Sequence, residues 1–154
     1  MMTTHLGSRP ILLVEDNSMD IDLTLEAFKD NRIANRVIIC RDGEEAFAYI
    51  SAHSRQDDLE LPALVLLDLH LPKVNGLEVL RRARKDPVWK KILFVVLTSS
   101  KESSDLATAY ELGVNSYIVK PIDLLAFREV VKQINIYWLL INEPPFHDQF
   151  GRNI

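Results

Sequence analysis

Four points in the chain carry side chains that could act together on phosphorus: the acidic pair Glu15-Asp16, the carboxylate of Asp68, the hydroxyl of Thr98 and the ammonium of Lys120. Asp68 closes the apolar run Ala63-Leu64-Val65-Leu66-Leu67. Such a run reads as a strand buried on both faces, where a charge is costly, so the carboxylate must emerge at the strand's carboxyl end. In open α/β sheets that edge is where ligands bind. Three carboxylates crowded there repel one another, and a divalent cation relieves the repulsion. Hard oxygen donors suit magnesium, which keeps several of its waters. Asp16 and Asp68 are the expected side-chain ligands, Glu15 acts through a bound water, and the backbone carbonyl of His70 supplies a further oxygen. A carboxylate beside a metal, an ammonium and a hydroxyl is equipped to attack a phosphoryl group. Asp68 is then the nucleophile. Lys120 neutralises charge on the transferring oxygens, and Thr98 hydrogen-bonds one of them once the group is in place. Ser99, being small, leaves room. Taken singly, each of these residues is more often a cap, a turn or solvated surface. Their joint placement at strand ends is what points to a site.

That placement depends on the elements between them. Short apolar runs alternate with amphipathic stretches five times. The candidate strands are Pro10–Val14, Arg36–Cys40, Ala63–Leu67, Ile92–Leu97 and Ser116–Val119. Helical spacing links Ile21, Leu25 and Phe28, then Ala46, Phe47 and Ile50, then Leu77 and Leu80, then Leu106, Ala109 and Tyr110. The last helix carries Phe127, Val130, Val131, Ile134, Trp138 and Ile141 on one side. Ser18, Asp42 and Asp123 are candidate N-caps, and Glu45 stands three residues after Asp42 as in a capping box. The polar segment Ser51–Pro62 reads as a surface loop. Strand–helix alternation implies parallel pairing through right-handed crossovers. The expected fold is a doubly wound α/β domain with a five-stranded parallel sheet in the order 2-1-3-4-5 and helices on both faces. The domain is expected over residues 9–141, after a flexible start at 1–8. Pro144-Pro145 breaks the last helix, so residues 142–154 are expected to form a tail without an output domain.

At 154 residues the chain fits one domain, and its net charge of −4 argues against nonspecific nucleic-acid binding. No apolar run approaches the ~20 residues that span a bilayer, and Met1–Ser8 lacks the pattern of a signal peptide. A cytoplasmic location without membrane attachment is the default expectation. Cys40 is the only cysteine, so no disulfide can form within the chain. Its apolar surroundings suggest a buried, inert thiol.

The segments Ile11-Leu12-Leu13-Val14-Glu15-Asp16, Leu67-Asp68-Leu69-His70-Leu71-Pro72-Lys73-Val74-Asn75-Gly76, Val96-Leu97-Thr98-Ser99 and Tyr117-Ile118-Val119-Lys120-Pro121 resemble the receiver domains of two-component response regulators. The resemblance covers about residues 9–141. It implies that Asp68 is the phosphoacceptor for a histidine kinase, that Glu15 and Asp16 form the acidic pocket, and that Thr98 and Lys120 report phosphorylation. It implies a cis Lys120–Pro121 bond and a switch formed by Thr98, Tyr117 and Pro121. A narrower resemblance, carried by Tyr110–Tyr117, by Ile136-Tyr137-Trp138 and by the loop before Pro62, is to stand-alone regulators that partner phytochromes. It implies a phytochrome-type histidine kinase as donor. His70 and Ser100 stand at the two positions that tune phosphoryl lifetime in the family. Neither is an acid or amide, so a long-lived phosphoryl state is expected.

Two other function classes share some of these features. A phosphatase of the haloacid dehalogenase type also uses a strand-end Asp with magnesium. It wants a second Asp two residues later, where this chain has His70. A flavodoxin-like flavin binder wants a phosphate-cradling loop after the first strand, where Glu15-Asp16-Asn17 would repel phosphate. A receiver used purely as a phosphorylation-independent binding module would not need Asp68, Thr98 and Lys120 together. Output is expected through the face formed by the fourth helix, the fifth strand and the fifth helix, which would dock a downstream protein or a second copy of the chain. Phe127, Tyr137 and Trp138 are the candidate interface residues for a homodimer.

Overall fold

The structure is a computed structural model that describes residues 9–120 and 123–134. Strands β1 (Ile11–Val14), β2 (Val37–Cys40), β3 (Leu64–Leu67), β4 (Leu93–Thr98) and β5 (Ser116–Val119) alternate with helices α1 (Ser18–Asp30), α2 (Gly43–Ala52), α3 (Gly76–Lys85), α4 (Ser103–Glu111) and α5 (Leu124–Ile134). A short 3-10 turn, Trp89–Lys91, precedes β4. All strand pairs are parallel, in the order β2-β1-β3-β4-β5.

Successive residues of a strand face opposite sides of the sheet, and both sides are covered here. Leu12, Val14, Val65, Leu67, Phe94 and Val96 pack with residues of α2, α3 and α4 and with Trp89. Ile11, Leu13, Leu64, Leu66, Val95 and Leu97 pack with residues of α1 and α5. Each large apolar side chain buried in this way stabilises the fold by about 1.5–3 kcal/mol. The loop after α2 is tied down by its neighbours: Trp89 Nε1 donates to the His53 carbonyl at 2.7 Å, and the Tyr49 hydroxyl donates to that of Glu60 at 2.6 Å. Among the described residues no helix is long and apolar enough to cross a membrane.

Several sequence expectations shift. The cap of α1 is Asn17 rather than Ser18, because the Asn17 Oδ1 reaches the Asp20 N–H at 3.0 Å. Asp42 and Asp123 do cap, accepting from the Glu45 and Ala126 N–H groups, both at 2.8 Å. Ser51 belongs to α2, not to the loop that follows. Leu106 and Tyr110 do not face a core: they are 40% and 51% exposed, and Ala109 is the one fully buried residue of α4. The helix is held instead at its far end, where the Arg84 guanidinium donates to the carbonyls of Leu112 and Gly113 at 2.7 and 2.9 Å. Phe127 is not an interface residue. It is 1% exposed and packs on the sheet with Val131 and Ile134, because the apolar stripe of α5 faces inward. Tyr137, Trp138, Pro121 and the tail at 142–154 lie outside the described residues.

Cys40 ends β2 at 4% exposure, and burial, with the nearby charges of Glu45 and Asp42, pushes its thiol up to about 12. An unfolded cysteine ionises near pH ~8.5, so the folded chain holds this proton more tightly. The resulting stability is complete below pH ~8.5 and is lost as the pH rises above it. Iodoacetamide at about pH 8 is expected to spare Cys40 in the folded protein and to alkylate it fully in urea. Fast alkylation of the folded protein would contradict this burial.

Candidate functional site

Strand register builds the site. Val14 pairs with Leu67, so Glu15 and Asp68 leave the sheet side by side. Thr98 is the last residue of β4 and pairs with Val119, which sets Lys120 one residue beyond. Backbone bonds fix each exit: Glu15 N–H to Cys40 O at 2.9 Å, Asp68 N–H to Val14 O at 3.0 Å, and Lys120 N–H to Thr98 O at 2.7 Å. Glycine is required at position 76, next to the acceptor strand. A Cβ there would lie 2.3 Å from the Asp68 carbonyl oxygen and 2.6 Å from the Leu69 Cα.

The side chains converge on an open cavity of about 400 Å³ lined by Glu15, Asp16, Asn17, Asp20, Asp68, His70, Ser99 and Lys120. Glu15, Asp16 and Asp68 each offer a carboxylate oxygen, and these lie within 4.8 Å of one another. The Lys120 Nζ donates to Glu15 Oε1 at 2.6 Å, to Asp20 Oδ2 at 2.8 Å and to Asp68 Oδ2 at 3.3 Å. Asp68 Oδ1 accepts from the His70 N–H at 3.1 Å, which leaves that carboxylate oriented at the cavity.

Burial pushes the Glu15 carboxyl up to about 7 against the hydrogen bond from Lys120, and the charge of Asp68 adds to the rise. Burial also works against the Lys120 cation, but hydrogen bonds to Asp20 and Glu15 and the charges around it outweigh burial and hold its ammonium above the ordinary range. One lysine therefore does not fully compensate the acids. The donor set is all oxygen and the charge is in excess, which fits a hard divalent cation.

Thr98 is fully buried, and its Oγ1 accepts from the Ser100 N–H at 3.4 Å. The half-buried Tyr117 donates its hydroxyl to the Ser100 carbonyl at 3.1 Å. The Ser100 hydroxyl donates to Asp105 Oδ2 on α4 at 2.6 Å. Thr98 and Tyr117 thus meet at one residue, Ser100, which is also tied to α4.

The structure brings Glu15, Asp16, Asp68, His70 and Lys120 together around one cavity, while Thr98 and Tyr117 meet at Ser100. It adds Asp20, which sequence reasoning missed. An acid in the first turn of a helix is common for reasons of the helix dipole alone, and nothing in the sequence shows that its side chain reaches Lys120.

A parallel five-stranded sheet with an acidic cluster, a buried threonine and a lysine on its carboxyl edge defines a phosphoryl-accepting signalling domain. The chain matches the response regulator receiver domain over residues 11–132 and belongs to that family. Response regulator Rcp1 of Synechocystis sp. is 40% identical over 129 residues, which cover 84% of this chain and 88% of Rcp1. The Mn(2+)-bound form of Rcp1 superposes with a TM-score of 0.75 at 38% identity, covering 90% of this chain and 99% of Rcp1 in that structure. The phosphorylated cyanobacterial phytochrome response regulator RcpA superposes with a TM-score of 0.78 at 39% identity, covering 90% of this chain and 99% of RcpA. The probable methanogenesis regulatory protein FilR2 of Methanothrix harundinacea is 41% identical over 135 residues, 88% of this chain and 86% of FilR2.

Proposed function

We propose that Asp68 accepts a phosphoryl group from a histidine kinase and that the gain of charge resets the α4–β5–α5 face for docking. The observation that carries this reading is the meeting of Asp68, Glu15, Asp16 and Lys120 in one open cavity. A carboxylate oxygen of Asp68 forms the new bond to phosphorus as the bond to the donor's leaving group breaks. Lys120 places positive charge beside the transferring oxygens. Thr98 exchanges its bond from Ser100 for one to the phosphoryl group, and Tyr117 follows because it shares Ser100. Asp16 and Asp68 would hold magnesium directly, Glu15 through water, with the His70 carbonyl as a further donor. When bound, magnesium neutralises charge on the phosphoryl oxygens. The protein acts as a signalling switch whose catalysis is confined to its own phosphorylation and dephosphorylation, in the cytoplasm. The Ser100 hydroxyl is engaged by Asp105, which supports a phosphoryl state that outlasts seconds. The test is intact mass after incubation with acetyl phosphate. A magnesium-dependent gain of one phosphoryl group supports the reading, and no gain under any condition moves the weight to a phosphorylation-independent interaction module.

The kinase is of the phytochrome type on this reading, supported by the likeness to RcpA. Faster transfer from another class of histidine kinase would overturn that choice.

Homodimerisation through the α4–β5–α5 face is supported by Leu106, Tyr110 and Val119, which are exposed at 40%, 51% and 38% on its helix and edge strand. Sedimentation at high micromolar concentration is expected to show dimer that Tyr110→Glu removes. Monomer alone, with and without the phosphoryl group, sinks the dimer.

A further inference from the structure

The three N–H groups of the Lys120 ammonium have three carboxylate partners, Glu15, Asp20 and Asp68. A lysine so placed must give up one contact before it can meet an incoming phosphoryl oxygen. Glu15 is the least able to release it. It is 2% exposed, and its other oxygen accepts from the Asn17 N–H at 3.2 Å. The contact to Asp68 is the longest of the three and lies on the path to the phosphoryl group itself. Asp20 differs from both. Its side chain is 33% exposed, so water can take the place of the ammonium. It lies outside the trio of clustered carboxylates. Its backbone is fixed in the first turn of α1, where Asn17 caps its N–H at 3.0 Å and the Thr24 hydroxyl donates to its carbonyl at 2.8 Å. The carboxylate is therefore presented to Lys120 by a rigid helix start.

We infer that Asp20 is a positioning residue that holds Lys120 in the resting protein and yields it to the phosphoryl group. This inference rests on Asp68 being the acceptor. Asp20 stabilises the unphosphorylated state and has already lost the ammonium when the transition state is reached, so it slows phosphorylation and leaves hydrolysis alone. A charge acting only through space would alter both steps, because each passes through its own transition state with an anionic phosphoryl group held at the same place.

Asp20→Asn keeps the helix start and removes the charge. At saturating magnesium, phosphorylation by acetyl phosphate is expected to quicken roughly fivefold, the size of a partly exposed ion pair. The half-life of the phosphoryl group is expected to match the wild type, and Asp20→Ala to behave likewise. Asp22→Asn, the same charge change two residues along α1, is expected to move neither. An unchanged phosphorylation rate in Asp20→Asn, an equal change in half-life, or an equal effect of Asp22→Asn overturns the inference and leaves Asp68 as acceptor. A wild type that takes up no phosphoryl group removes both.

Discussion

Asp68→Asn is expected to gain no phosphoryl mass from acetyl phosphate under conditions in which the wild type gains one group. The loss is complete within detection, at least about a hundredfold, because a nucleophile has no substitute when its neighbours act only through it. Asparagine is the informative replacement. Its Oδ1 can still accept from the His70 N–H, as the aspartate does at 3.1 Å. The strand end is unchanged, so a folded and inert protein isolates the nucleophile from the scaffold. Lys120 loses its longest contact and keeps Glu15 and Asp20. Magnesium binding should weaken as well, since two clustered carboxylates remain where there were three. Intact mass spectrometry reads the first effect and magnesium titration the second. Retained phosphorylation of the variant at another side chain would remove Asp68 from its role.

Gly76→Ala is expected to cost more than its single methyl suggests. The added carbon would meet backbone atoms at 2.3 and 2.6 Å. Those atoms have no free direction in which to move. The Asp68 N–H is bonded to Val14 O at 3.0 Å, and the Gly76 N–H is bonded to Leu69 O at 2.9 Å. Overpacking a rigid site costs about 1–3 kcal/mol, and a clash with backbone rather than with a flexible side chain falls at the upper end. Urea unfolding is the measurement. The damage also reaches the chemistry. A shift of Asp68 by about 1 Å would slow phosphorylation on the order of a hundredfold. Alanine at this position with wild-type stability and wild-type phosphorylation would mean that the close approach is not real.

The strands were legible because their signal is simple. Apolar runs closed by Glu15, Asp68, Thr98 and Lys120 locate the strand ends within one residue, and their order on the sheet is the flavodoxin-like one expected of a doubly wound α/β domain. The site was legible for the same reason, since its members are the residues that end those runs. Helical faces were less so. Leu106, Ala109 and Tyr110 have the spacing of a buried stripe, yet only Ala109 finds a core. Spacing states which residues share a face and not whether a partner covers it. Phe127 failed in the opposite sense, as an aromatic residue assigned to an interface that the sheet already covers. Asp20 was hidden because its partner lies 100 residues away and only the closed sheet brings them together.

The sheet order also sets a timetable. During synthesis Glu15, Asp16 and then Asp68 leave the ribosome first, and β1 can pair with β2 and β3 before β5 exists. Until residue 120 emerges, the acids crowd one edge without their lysine. A nascent chain arrested before β5 would carry repelling carboxylates at one end of the sheet and an unpaired apolar edge along Val95, Val96 and Leu97. Arrival of the last strand closes that edge and brings the cation in one step. Completion of the site is thereby tied to completion of the fold, so a truncated chain offers a kinase no finished acceptor.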